Sequence, residues 1–294
     1  MRFKFGHLMG AALLFFVGCS APKVTTSYRS IAEQAVAAGN YEAATENWKL
    51  YFDQQMLDNE PIAPELFAEA GQMAFKANKP ELALNWLKQA QASNYDNAEM
   101  YVALAELYKQ ENNLSKELES LEFFRASYPT ADQKQVTNRL FEIYTEINAR
   151  EKAVELWNAM SAESQQEERY LEAYFGLQKQ LKNEEVADSV ASALLNVNPN
   201  HTKALEWLGA KYYNQAEDRY QKEMKAYEKN HTRVQHIKLT QALKEVTADF
   251  RKSAEYFKTL WEQEQDSKYA TYLVNIYNRF DDKKTSDYYR KFLK

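Results

Sequence analysis

The chain of 294 residues is short of nearly everything that punctuates or staples a fold: one cysteine, 7 glycines and 6 prolines. A single cysteine excludes an intramolecular disulfide framework. So few helix breakers over this length predict an almost entirely helical protein. Histidine is scarce as well, and with His7 near the start only His201, His231 and His236 remain for metal chemistry. His231 and His236 stand five apart, off the i,i+4 spacing that puts two ligands on one helix face, so no metal or other cofactor is expected. Gly10, Gly18 and Gly39 are isolated, which leaves neither a phosphate-cradling loop nor a nucleophile elbow. The carboxylate pairs Glu167-Glu168 and Glu184-Glu185 fall at helix starts, where the helix dipole accounts for them. No catalytic residue emerges, and the chain reads as a non-enzyme. Positive charge is in deficit too. The 37 basic residues against 42 acidic ones give a net charge of -5, which argues against nucleic acid as a partner.

What is present begins with a leader. Arg2 and Lys4 precede the apolar run Leu8 to Val17, and Gly18 supplies a small residue before Cys19. That order marks residues 1–18 as a secretory signal peptide. Its ten apolar residues rise only about 15 Å as a helix, too little to cross a hydrocarbon core of about 30 Å. The segment Phe16-Val17-Gly18-Cys19 resembles a bacterial lipobox, with phenylalanine where leucine is usual. The resemblance implies cleavage before Cys19, diacylglyceryl and fatty-acyl (palmitate) modification of that cysteine, and a short lipidated tether over 19–24. Two or more acyl chains hold a protein stably on a membrane. Without Arg2 and Lys4 the mature net charge becomes -7. Ser20 stands where an acidic residue signals inner-membrane retention, and no acidic run follows. The expected location is therefore the outer membrane of a Gram-negative bacterium, on the periplasmic face.

The body of the chain repeats itself. Pairs of amphipathic helices recur with a spacing near 34 residues. In the clearest copy Tyr101, Leu104, Ala105 and Tyr108 share a helix face, Glu111-Asn112-Asn113 turn, Leu114, Leu118, Leu121 and Phe124 follow, and Pro129 ends the pair. Pro199 plays the same part after Ala187 and Leu194. Gly39-Asn40-Tyr41, Gly71 with Ala83, Leu140 with Trp157, and Trp207-Leu208-Gly209 fall in register with it. Small residues at Gly71, Ala105 and Gly209, and at Ala44, Ala83, Ala153 and Ala187, let helices approach closely.

These features resemble the tetratricopeptide repeat (TPR) family over roughly Thr25 to Lys294. The resemblance implies an all-α, right-handed α-α superhelical solenoid. About five repeats occupy 25–201, an expanded sixth lies at 202–266, and a partial repeat closes 267–294. Phe141 and Phe175 stand where a small residue is usual and Glu117 where alanine is usual, so those copies are expected to pack less tightly or to be shifted by a residue. In this family the first helix of each pair lines a groove that holds peptide segments. Carried over by register, the groove candidates are Arg29, Glu33, Gln72, Lys76, Glu106, Lys109, Glu142, Arg169, Glu172, Lys203, Glu206, Tyr213 and Asn214. Tyr213 is the expected anchor, because aromatic residues dominate hot spots. The lysine that some members use to grip a C-terminal carboxylate is replaced by Ala68, Val102 and Asn138.

The expanded repeat is almost twice the period. Leu208, Tyr212, Ala216, Tyr220 and Met224 form one stripe, and Leu239, Leu243, Val246, Phe250, Ser253, Phe257 and Leu260 another, meeting as an antiparallel hairpin with a turn at Asn230-His231. Its tip is basic: Lys222, Lys225, Lys229, Arg233 and Lys238 against Glu223 and Glu228, a net +3. That asymmetry on an acidic protein marks a candidate contact for an anionic partner. The function expected from all this is a lipid-anchored scaffold that binds protein partners in envelope assembly or secretion. The alternative is a glycan- or other ligand-binding surface lipoprotein, which calls for aromatics clustered on one exposed face.

Overall fold

The computed structural model describes residues 27–293; the leader, Cys19 and the tether lie outside them. Every regular element among the described residues is a helix. The chain forms two compact units that divide between Leu107 and Tyr108, within one helix.

The first unit holds α1 (Tyr28–Ala37), α2 (Tyr41–Leu57), α3 (Pro64–Lys76), α4 (Pro80–Ala92) and most of α5 (Ala98–Gln110). Successive helices pack on one another: α1 on α2, α2 on α3, α3 on α4. Its core is aromatic, with the Phe52 ring 5.9 Å from Trp48, 4.7 Å from Phe67 and 5.3 Å from Trp86. Gly71 is what brings α3 and α4 together. A β-carbon there would lie 2.6 Å from the Leu87 side chain.

The second unit holds α6 (Leu114–Ser127), α7 (Lys134–Glu146), α8 (Arg150–Ala159), the single turn α9 (Ala162–Gln165), α10 (Glu168–Gln180) and α11 (Glu184–Val197). The long helices α12 (Thr202–Lys229) and α13 (Arg233–Gln263) follow, then α14 (Ser267–Arg279) and α15 (Lys283–Arg290). Again neighbours in sequence are neighbours in space. The all-α array of helix pairs implied by the repeat is what each unit contains. The C-terminal stretch expected as a partial repeat carries both helices of a pair, the second cut to 8 residues.

One turn recurs in the short hairpins. A residue with φ between 56° and 70° stands two places before the second helix: Gly39, Asn78, Asn112, Asn148, Lys182 and Asp281. The amide after it closes a six-residue loop, as when Asn40 N–H donates to the Ala35 carbonyl at 2.9 Å and Lys79 N–H to Ala74 at 2.9 Å. This is the left-handed C-cap, which asparagine tolerates nearly as glycine does. Side chains of Asn40, Asn113 and Asp282 then accept the backbone N–H three residues on and cap the helix that begins there. A protein so poor in glycine makes half of these turns with asparagine and only one with glycine.

Three expectations need correction. Phe141 and Phe175 do not loosen their repeats, since both are fully buried. Phe141 lies 5.6 Å from Trp157 and 6.2 Å from Tyr170, and Phe175 sits edge-on to Trp207 at 5.8 Å. Glu117 is buried as well, and its carboxylate takes two bonds from the Arg139 guanidinium at 2.6 and 3.1 Å. An aromatic ring or an ion pair fills the space that small residues fill elsewhere. In the long hairpin Leu239, Val246, Phe250, Ser253, Phe257 and Leu260 are buried as the stripe requires, but Leu243 is 37% exposed and off the seam. Ser253 earns its seam position by donating to the Gly209 carbonyl at 2.8 Å.

No helix among the described residues is long and apolar enough to cross a membrane.

Candidate functional site

Helix α10 starts at Glu168, and its first two turns carry Arg169 and Glu172 three residues apart on one face. Helix α12 repeats the arrangement with Lys203 and Glu206, and α14 opens with Lys268. Each acid pairs forward with the next helix's cation. Glu172 lies 2.6 Å from Lys203, and Glu206 lies 2.9 Å from Lys268. Arg169 reaches back to Glu142 on α7 at 3.5 Å and sideways to Glu167 at 3.0 Å. The Lys203 ammonium holds the Glu172 carboxyl below the ordinary carboxylate range, with burial opposing and His201 assisting. Burial pushes the Glu206 carboxyl up, and hydrogen bonds from Tyr269 and Lys268 more than reverse it.

A cleft of about 690 Å³ opens over this face of α10. Its walls include Thr145 from α7, Lys203 from α12, and Arg169, Glu172, Phe175, Gly176, Lys179 and Gln180 from α10. The structure thus gathers Arg169, Glu172 and Lys203 at one place, with Glu142 attached through Arg169. Lys179 is exposed and rests its ammonium on the Phe175 and Trp207 rings, at 5.1 and 5.3 Å. Such contacts leave a cation's charge available to a third group. Arg169 and Lys203 are each paired with carboxylates, so Lys179 is the cation whose charge the cleft offers to a third group.

Gly176 and Lys179 are residues of this cleft that sequence reasoning missed. Glycine inside a helix costs about 1 kcal/mol relative to alanine. Gly71 and Gly209 offset that cost by close packing, on Leu87 and on Phe257. A β-carbon at Gly176 would meet nothing within 4 Å. The signal was legible as a lone glycine in the helical run Tyr174-Phe175-Gly176-Leu177, but whether a neighbour crowds it is a three-dimensional fact. His201 was also passed over. It is buried, accepts the Ala204 N–H at 3.3 Å through Nδ1, and faces Glu172 at 3.6 Å through Nε2.

The other candidates have surroundings of their own. Arg29 and Glu33 pair with each other at 2.8 Å on α1. Gln72 donates to Asn97 at 3.1 Å, and Lys76 lies 5.1 Å above the Tyr41 ring. Glu106 and Lys109 are exposed on α5, and Asn214 on α12. Tyr213, expected as the anchor, is half-buried and packs against the core beside Phe250 at 5.7 Å and Tyr272 at 4.9 Å. Lys222, Lys225, Lys229, Arg233 and Lys238 are all exposed at the far end of the α12–α13 hairpin. No group of three metal-ligating side chains occurs among the described residues.

No protein-family model matches the chain, and no curated protein matches it. Solved structures similar to it are helical-repeat proteins. The C-terminal part of a TPR repeat-containing protein from Cytophaga hutchinsonii aligns over 90% of this chain and 93% of that one, at 12% identity and TM-score 0.47. A tetratricopeptide repeat protein from Parabacteroides merdae aligns over 90% and 98%, at 15% identity and TM-score 0.45. YrrB, described as a TPR protein with an unusual peptide-binding site, aligns over 61% and 89%, at 13% identity and TM-score 0.48. The fold rests on the packing within each unit.

Proposed function

We propose that this chain is a non-enzymatic scaffold that holds an extended segment of a protein partner in the α10 cleft, and that lipid on Cys19 keeps it at the outer membrane, on the periplasmic face. Its task is positioning during envelope assembly or secretion. Anchoring raises the local concentration of the partner, and the cleft supplies selectivity. The observation that carries the reading is Gly176. A helix-interior glycine with no internal neighbour makes sense where a backbone from outside must lie close to the helix. The exposed Lys179 ammonium beside it favours a segment bearing a carboxylate. The glycan alternative is not supported by the aromatic residues. Among the described residues only Phe123 and Tyr288 are more than a third exposed, and most of the rings belong to the helix packing.

The test is site-specific photocrosslinking in the native cell. A photoreactive residue at Gln180 should capture one partner in stoichiometric yield, and Gly176→Phe, which fills the cleft without crowding the core, should abolish capture. Unchanged capture in the Gly176→Phe protein sinks the reading. For the anchor, Cys19→Ala should leave the chain unprocessed or without acyl label; normal labelling would refute that part.

A further inference from the structure

We propose that the free end of the α12–α13 hairpin is a contact that docks on an anionic lipid bilayer. Toward the body the hairpin is held in place. Arg219 pairs with Asp249 at 2.8 Å, Arg279 of α14 pairs with Glu217 at 2.6 Å, and Arg279 also covers the Tyr220 ring at 4.3 Å. Past Tyr220 the contacts among the described residues are the hairpin's own, such as Tyr227 against His231 at 4.9 Å and against His236 at 5.9 Å. The remaining nine residues of α12 carry the tip about 14 Å further.

Two features of that tip have no internal explanation. The first is an exchange of apolar and polar positions. The buried face of α13 runs through Val246 and Leu239 toward the turn, and the next position on it, Gln235, is polar and half-buried. Val234 and Ile237 point outward instead, 62% and 47% exposed. The second is charge. Lys222, Lys225 and Lys229 on α12, with Arg233 and Lys238 on α13, are exposed and form no ion pair among the described residues. Against Glu223 and Glu228 they leave a net +3, so the rest of the chain carries -8. An anionic surface therefore repels the rest of the chain on balance and attracts this end.

Size selects a bilayer over a protein. The end of two helices, each about 10–12 Å across, offers on the order of 200 Å². A stable protein interface needs about 800 Å² from each partner. A fluid lipid surface needs no matching shape. Two apolar side chains can enter the headgroup layer while the surrounding cations meet lipid phosphates, the usual pairing in surface-bound helices.

Hydrogen exchange of the full chain, with vesicles of phosphatidylcholine alone or with a third phosphatidylglycerol, tests this. Residues 225–240 should gain protection with the anionic vesicles only, and less so as salt rises. Each cation contributes about fivefold in partitioning, so Lys225→Gln/Lys229→Gln/Arg233→Gln should raise the half-saturating lipid concentration about a hundredfold. Val234→Ser/Ile237→Ser should raise it about tenfold with the charge intact. The leader is the same in every protein compared, so its own affinity for lipid does not enter the difference. The proposal falls if the tip shows no added protection, if neutral vesicles protect it equally, or if either variant behaves as the parent. Protection by polyglutamate and not by anionic vesicles would assign the tip to an acidic protein and also overturn it.

Discussion

Replacing Glu117 with alanine is expected to weaken the second unit more than any other single loss of a charge. The Glu117 side chain is 3% exposed and Arg139 is 25% exposed, and the two meet through a forked pair of hydrogen bonds that joins α6 to α7. Breaking a buried pair by removing one partner costs about 3–5 kcal/mol, because the other charge stays desolvated. Arg139 retains Glu142 at 3.0 Å and a quarter of its surface in water, which brings the loss to or below the low end of that range, about 2–3 kcal/mol. For a unit of this size that is a fall in melting temperature of about 4–12 °C. A double change, Glu117→Met with Arg139→Met, removes both charges and fills the space, so it should cost less than Glu117→Ala alone. Because repeat proteins open in parts, the assay should pair thermal unfolding with hydrogen exchange of α6 and α7. Single variants that each cost under about 0.5 kcal/mol and add without coupling would refute the reasoning, since independent surface charges behave that way.

Other outcomes follow from the same packing. Phe175→Ala should cost about 3–5 kcal/mol in chemical denaturation, as for a fully buried ring, although the repeat pattern favours a small residue there. Gly71→Ala should lower the melting temperature, because its β-carbon meets the Leu87 side chain at 2.6 Å and the Leu87 amide nitrogen at 3.1 Å. Gly176→Ala should raise the melting temperature, through a helix-propensity gain of about 1 kcal/mol. Identical shifts in the two glycine variants would contradict the packing described. Glu172 and Glu206 have lowered folded-state affinity for protons, so their stabilisation is complete above about pH 4.3 and is lost as pH falls through the folded values. Urea midpoints of Glu172→Gln/Glu206→Gln should therefore fall slightly at pH 7 and change less than the parent's on acidification. A steeper acid limb in that variant would show the sign to be wrong.

The sequence by itself determined the helix pairs, because a 34-residue recurrence of apolar faces between turn residues leaves few other ways to bury them. It located Pro129 and Pro199 as stops, the long hairpin and its turn at Asn230, and the basic composition of that hairpin's end. It did not show that asparagine would supply half of these left-handed turns, since asparagine also serves as a cap and a surface residue. Only the tertiary structure decided how Phe141, Phe175 and Glu117 are accommodated, because each depends on a side chain 16 to 32 residues away: Trp157, Trp207 and Arg139. The same holds for the cleft. Register placed Arg169, Glu172 and Lys203 on first helices, but the space above Gly176 and the packing of Tyr213 against the core are properties of neighbouring helices. Periodicity fixes which face of a helix is buried; what that face meets, and where it leaves a gap, is settled by packing across repeats.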